Sequence, residues 1–240
     1  MNTIKIFMVS LLTLALTSCN LDMAIGQVTG NGNVQTEERP VTEAFYEVRG
    51  SAGLDVYLTE GDSEKIVVEA DENLLDIIET EIKDGKLIIR TDKNIGRSKS
   101  KKVHVTYTRL STIEASSGAD VFSNSPVNAD EITLDASSGA DLEVEVHAQK
   151  VYAESSSGAD LKVSGTTKML TAKASSGSDI KAGNLVTEDC DAKASSGADI
   201  VVHVTGQLDG KASSGGDIKY YGNPAAVNKT DGHSGSIRKM

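Results

Sequence analysis

Ser137-Ser138-Gly139-Ala140-Asp141 is one of six near-identical pentapeptides, the others running from Ser116 to Asp120, Ser156 to Asp160, Ser175 to Asp179, Ser195 to Asp199 and Ser213 to Asp217. Their aspartates lie 21, 19, 19, 20 and 18 residues apart. A degenerate copy stands early, at Ser51-Ala52-Gly53-Leu54-Asp55, and Ser234-Gly235-Ser236 is a partial echo in the tail. Repeats of this period signal a solenoid, in which each unit buries its apolar residues only by stacking on its neighbours.

A flexible Gly/Ser linker would have the same local composition, but the flanks exclude it. Residues before each copy alternate with the strand period of two: Ile132/Leu134/Ala136, Val151/Ala153/Ser155, Leu170/Ala172/Ala174, Cys190/Ala192/Ala194 and Leu208/Gly210/Ala212. Alternation resumes afterwards, as in Leu142/Val144/Val146, Leu161/Val163, Ile180/Ala182, Ile200/Val202/Val204 and Ile218/Tyr220. Each unit is therefore a strand, a Ser-Ser-Gly corner and a second strand. Stacked at about 4.8 Å, such units enclose one continuous interior. The expected fold is all-β, a right-handed parallel β-helix with coils of roughly 20 residues, most regular over residues 110–223. A leucine-rich horseshoe would need helix-compatible runs and a Leu-x-x-Leu-x-Leu pattern, and neither is present.

The interior position just before the corner is mostly alanine, so the tube must be narrow there. The corner glycines at 118, 139, 158, 177, 197 and 215 are expected to supply positive φ. Cys190 shares an interior row with Ile132, Val151, Leu170 and Leu208, which makes it a buried structural thiol. The N-terminal half is β-rich but less regular, with runs at Phe45 to Val48, Leu54 to Leu58, Lys65 to Ala70, Thr80 to Lys83, Lys86 to Thr91 and Lys102 to Thr108. Asp84-Gly85 between alternating runs is a hairpin turn. Glu72 to Ile78 has room for one helical turn, and Lys93, Arg97, Lys99, Lys101 and Lys102 read as a solvated hairpin loop.

Lys5 precedes an apolar run from Ile6 to Leu16 that is too short to span a bilayer and reads as a signal peptide. It ends Leu16-Thr17-Ser18-Cys19, which resembles the lipobox of bacterial lipoproteins. The resemblance implies removal of residues 1–18 and diacylation of Cys19, a two-chain anchor that holds stably to a membrane. Residues 19–43 lack periodicity and read as a lipidated tether. The expected location is the outer membrane, with the body held only by its lipid. Cys190 then has no partner for an intrachain disulfide. The formal net charge of −11 becomes one unit more negative without Lys5, a field that disfavours nucleic acid and anionic lipid surfaces as partners. With no Trp, three Phe and six Tyr, the chain is short of the rings from which stacking platforms for sugars or bases are built.

The opening Phe45-Tyr46-Glu47-Val48 with Gly53 and Asp55-Val56, the hairpin at Glu81 to Ile89, the pentapeptide repeats and the ending Asp217-Ile218-Lys219-Tyr220-Tyr221-Gly222-Asn223-Pro224 carry a family resemblance. Over residues 44–223 they resemble the Bacteroidetes family described as putative auto-transporter adhesin, head GIN domain. The resemblance implies a β-helical, secreted or lipid-anchored envelope module, with residues 224–240 as a C-terminal tail or cap. It brings no catalytic residues with it.

The sharpest chemical feature is the column Asp120, Asp141, Asp160, Asp179, Asp199 and Asp217. Stacked carboxylates about 5 Å apart repel by roughly 0.8 kcal/mol per pair in water and about 3 kcal/mol at an effective dielectric of 20. Two arrangements could offset this: an Asx-type turn in which each Asp accepts backbone N–H bonds at its own corner, or a row of Ca²⁺ ions shared between carboxylates and corner carbonyls. Calcium-binding Gly-Gly-x-Gly-x-Asp repeats recur about every nine residues, roughly half the period here, which favours the turn. A polysaccharide-active β-helix enzyme would need a cluster of unlike residues breaking the repeat. His104, His147, His203 and His233 fall in different contexts, and no Gly-x-Ser-x-Gly, His-Glu-x-x-His or P-loop pattern occurs. The paired serines would form hydroxyl columns, but a curved Ser-Ser-Gly corner does not make the flat face that ice binding needs. The expected function is thus a non-catalytic envelope scaffold for adhesion or interaction, with a protein or glycan partner. A Ca²⁺-dependent or glycan-binding surface adhesin is the alternative.

Overall fold

Each coil turns within two residues. In the computed structural model, which describes residues 26–232 and 234–240, Ser138 and Gly139 have φ of 55° and 68°. The Ala140 N–H donates to the Ser137 carbonyl at 3.3 Å. Two successive left-handed residues closed by this bond make a type I′ turn. The glycine behaves as expected, but the serine before it is left-handed too, from Ser117 (52°) to Ser214 (52°). That conformation is costly for a residue with a side chain. Stacking holds it in place: the Gly139 N–H donates to the Ser157 carbonyl, and the Gly158 N–H to that of Ser176, both at 3.1 Å. The corners are themselves a hydrogen-bonded ladder.

The strands are β1 (Val34–Arg39), β2 (Glu47–Gly50), β3 (Asp55–Glu60), β4 (Lys65–Asp71), β5 (Ile78–Lys83), β6 (Lys86–Thr91), β7 (Lys101–Tyr107), β8 (Thr112–Ala115), β9 (Asp120–Ser123), β10 (Val127–Ala136), β11 (Asp141–Ser155), β12 (Asp160–Ala174), β13 (Asp179–Ala194), β14 (Asp199–Val204), β15 (Gln207–Ala212), β16 (Asp217–Tyr221), β17 (Ala226–Asp231) and β18 (Ser236–Lys239). From β8 onward all coil-to-coil pairing is parallel, in register except where β13 bulges against β12 and β14. The result is a β-solenoid with coils of about 19 residues. β11 and β12 each run 15 residues from one corner to the next. Their second bend falls where two outward residues follow one another, at Gln149-Lys150 in β11. The Thr187 hydroxyl fixes the equivalent bend in β13 by donating to the Asp189 carbonyl at 2.8 Å.

Ile132, Val151, Leu170, Cys190 and Leu208 pair in one interior row. Beside the corner, Ala136, Ser155, Ala174, Ala194 and Ala212 form the narrow column, all buried. The tail continues the stack: β17 pairs with β15 and β18 with β16.

The N-terminal end is threaded differently. β2 lies between β6 and β8, and β3 between β7 and β9, all in parallel. The early coil is therefore inserted between two later ones. β4 closes the end antiparallel to β7, β5 and β6 form the expected hairpin at Asp84-Gly85, and a 3₁₀ turn spans Glu72–Ile77. β1, from the segment read as a tether, pairs antiparallel with β4 as the outermost strand. The basic stretch before β7 is a coil connection, since β6 and β7 do not pair with each other. Large buried side chains fill this cap, including Phe45, Leu54, Ile66, Leu74, Leu87 and Tyr107. At its outer end the buried Asp71 accepts backbone N–H bonds from Gly32 (2.9 Å), Lys99 (3.1 Å) and Ser100 (3.0 Å). Burial pushes this carboxyl up, but the three N–H groups and the Lys99 charge outweigh it and hold it below its ordinary value.

Candidate ligand face

The strands that follow the corners form one long face. Its first outward column pairs Asp55, Asp120, Asp141, Asp160, Asp179, Asp199 and Asp217 in register. The expected turn role does not hold. Among the described residues, none of these carboxylates accepts a backbone N–H. Their own N–H groups join the inter-coil ladder, Asp141 to the Ala119 carbonyl and Asp160 to that of Ala140, both at 3.0 Å. Cationic side chains supply the offset instead. Lys181 lies 3.1 Å from Asp160 and 3.7 Å from Asp179, Lys219 4.0 Å from Asp199, and Arg238 3.1 Å from Asp217.

Where this compensation is thin, the carboxyls are perturbed. Burial, then Asp55, raises Asp120; burial, then Asp120 and Asp160, raises Asp141. The Ser236 hydroxyl, 2.5 Å from Asp217, and Arg238 lower that last member. Among the described residues, no three His, Cys, Asp or Glu side chains converge as a metal site.

Two residues along each strand the next column begins with rings. Tyr57 stacks on His104 at 5.3 Å and on Phe122 at 5.5 Å, nearly parallel to both. Composition pointed away from a stacking platform, but the inserted coil brings together three rings far apart in sequence. The column continues as Glu143, Lys162 and Lys181, with Glu143 and Lys162 bonded at 2.6 Å. Beyond them β13 bulges: Ala182 pairs with Val202 but Val186 with His203. The extra residues open a cleft of about 500 Å³ lined by Lys162, Lys181, Gly183, Asn184, His203 and Tyr221, among others. Gly183 keeps it open, because a side chain there would press on Val201 and the Tyr221 ring. A smaller depression of about 200 Å³, reaching Phe122, Asp141 and Asp160, shares Lys162 and Lys181 with the cleft. Together they form a shallow path along the stack, with rings at both ends and ammonium, carboxylate and amide groups between. Bulges re-aim side chains in this way at functional sites. The only trace in the sequence is the spacing of 20 from Asp179 to Asp199, after two of 19.

The other singled-out residues do not join this path. Cys190 is buried, and burial, then Asp191 and Asp209, pushes its thiol strongly upward, away from the reactive thiolate. His147 bonds Thr166 at 3.0 Å; among the described histidines His203 lines the cleft, and His233 and Cys19 lie outside the described residues. No helix among those residues is long and apolar enough to cross a membrane.

Stacked coils, an antiparallel cap and an open lateral path define a β-solenoid with one long open face. The chain belongs to the family described as putative auto-transporter adhesin, head GIN domain, whose sequence profile matches residues 44–224. Three solved structures share the fold. A putative adhesin from Bacteroides fragilis superposes with a TM-score of 0.83 at 20% identity, covering 89% of this chain and 100% of the other. A putative adhesin from Parabacteroides merdae gives 0.73 at 21%, covering 90% and 99%. A putative lipid binding protein from Parabacteroides distasonis gives 0.73 at 20%, covering 89% and 99%. No curated protein matches the chain.

Proposed function

We propose that this chain is a non-catalytic adhesion module of the cell envelope, lipid-anchored at Cys19 on the outer membrane, that holds a saccharide chain along the face carrying the cleft. The joined path from the His104, Tyr57 and Phe122 rings to Tyr221 carries the proposal. Ring faces suit the apolar faces of sugars, and Lys162, Lys181 and Asn184 suit hydroxyl and carboxylate groups. An open path favours an elongated ligand over an enclosed small substrate. The family description supports adhesion. The Leu16 to Cys19 pattern supports the anchor. One structural relative is named a lipid binding protein, but the charged lining of this path favours a sugar.

An oligosaccharide array that includes uronic acid chains tests the ligand. The wild type is expected to retain a subset of the array, and Tyr221→Ala and Lys181→Ala each to bind at least about tenfold more weakly. Binding unaffected by both changes, or no binding across the array, contradicts the reading. Radiolabelled palmitate is expected to enter the wild type and not Cys19→Ala; equal labelling contradicts the anchor.

A further inference from the structure

The strands that precede the corners present the opposite face, and one of its outward columns has its charges sorted. In register order it reads Glu114, Asp135, Glu154, Lys173, Lys193, Lys211. Three carboxylates are followed by three ammonium groups, a balanced run on a chain of net charge −11, preceded in the same column by Arg49 and followed by Thr230. Within one chain this order is unfavourable. Burial, then Glu114 and Glu154, raises the Asp135 carboxyl, against the pull of Arg49 and Lys86. Glu114 is bonded to Lys86 at 2.6 Å and Lys193 to Asp191 at 2.9 Å. Among the described residues, Asp135, Glu154, Lys173 and Lys211 have no opposite charge within 4.0 Å. Alternating signs would pair these groups internally. Sorted signs leave all but the central Glu154 and Lys173 beside only like charge within the run, whereas a copy turned end for end sets each against its opposite.

We infer that this face is a self-association surface, on which a second copy of this chain docks antiparallel about a two-fold axis between the coils of Glu154 and Lys173. A rotation about the strand direction keeps column on column and reverses the order of coils. It sets Glu154 against Lys173 of the second copy, Asp135 against Lys193 and Glu114 against Lys211, and symmetry repeats each pair. A parallel copy would face like charge with like. Two-fold contacts of this self-complementary kind are the commonest in soluble oligomers.

The same rotation accounts for two exposed apolar residues. Tyr152, 40% exposed, sits on the Glu154 coil, and Met169, 45% exposed, on the Lys173 coil, in the two neighbouring columns. Docking brings Tyr152 opposite Thr171 of the second copy and beside its Met169, over a shallow depression next to Glu154 and Lys173. An apolar centre flanked by complementary charge is the anatomy of a specific interface. In the Tyr152 column, Asp191 and Asp209 meet threonines 133 and 112, whose hydroxyls can donate. In the Met169 column Glu131 meets Asp189, a like-charged contact at the edge of the face, and Glu131 is already bonded to Lys150 at 2.5 Å. The two N-terminal caps end up at opposite ends of the pair, a polarity that lets molecules anchored on facing surfaces hold one another. That consequence rests on the anchoring proposed above; the docking does not.

Analytical ultracentrifugation of the purified full chain tests it. The wild type is expected to dimerise at near-physiological ionic strength, and Asp135→Lys and Lys193→Glu each to weaken the dimer by at least about tenfold. An equimolar mixture of the two variants is expected to restore it, because the reversed positions then face each other on one side of the axis and the native ones on the other. Thermal melts of both variants confirm that they are folded. A wild type that stays monomeric at about 100 µM, or a mixture no stronger than its components, overturns the proposal. Retention on an immobilised sulfated polysaccharide without any dimer also overturns it, in favour of a polyanion on the lysines. The oligosaccharide array reads the opposite face, so either reading can fail alone.

Discussion

The two ends of the molecule solve the same packing problem by different means. From β8 onward, stability is repetition: each coil repeats a Ser-Ser-Gly corner, an alanine column and an in-register pair of strands. The N-terminal cap has no repetition to draw on. It seals the stack with antiparallel strands, large buried side chains and one buried carboxylate that collects three backbone N–H groups. Repeating units leave their faces free to display columns of side chains, while the unique unit is spent on closing the edge. The exception is instructive. The inserted coil formed by β2 and β3 belongs to the cap by sequence, yet its Tyr57 is the middle ring of the candidate ligand face.

The largest effect is expected in the cap. Asp71→Ala leaves three donors without their acceptor and is expected to cost about 3 kcal/mol or more in denaturant melts. A loss under about 1 kcal/mol would mean that residues 30–33 are not buttoned to the cap. In the coils the comparable weak point is space. Ala174→Leu or Ala194→Leu is expected to cost about 1–3 kcal/mol by overpacking the column beside the corner. No loss would place those alanines on the outside.

Acid should separate the two regions. The folded-state pKa of Asp71 lies below its ordinary value, so its contribution is complete above the ordinary carboxylate range and is lost as pH falls through the folded value. Asp120 and Asp141 lie above theirs, so their repulsion is full at neutral pH and is relieved as pH falls through those raised values. Mild acid is thus expected to leave the coils as stable or more so, and stronger acid to open the cap first. Proteolysis along a pH series, with cleavage sites mapped, checks the order; coils opening before the cap would refute it.

Calcium is expected to do less. With Lys181, Lys219 and Arg238 beside the aspartate column, melts in EDTA, in millimolar Ca²⁺ and in matched NaCl should coincide, and Asp160→Asn should be mild. A shared ion would instead add about 2.7 kcal/mol at a hundredfold excess over its Kd. The smallest expected effect is at the corner, where Ser157→Asn should stabilise by less than about 1 kcal/mol, because asparagine tolerates the left-handed region better.

The pentapeptides made the corners, the interior rows and the place of Cys190 legible in the sequence, since repetition prints each packing contact several times. The hairpin at Asp84-Gly85 and the helical turn after Asp71 were legible because turn chemistry is local. The second bend of the middle coils was not: in β11 and β12 it uses two successive outward residues and no Gly or Pro. Nor was the threading of β2 and β3, which depends on long-range pairing that no local pattern records. That omission hid the ring ladder, whose members come from residues 57, 104 and 122. The cleft escaped notice because one lengthened spacing is a weak mark among spacings that all vary.

The threading of the early coil joins the fold to the ligand face, and engineered disulfides measure it directly. In-register neighbours on adjacent coils lie about 4.8 Å apart and residues two coils apart about twice that, beyond the reach of a disulfide. Tyr57→Cys is expected to cross-link with Phe122→Cys in one double variant and with His104→Cys in another, each under mild oxidation with Cys190 left inert. His104→Cys with Phe122→Cys is expected not to cross-link. A His104–Phe122 bond in that last variant, with neither Tyr57 pair forming, would show that the early coil does not lie between its neighbours and would remove the central ring from the ligand face.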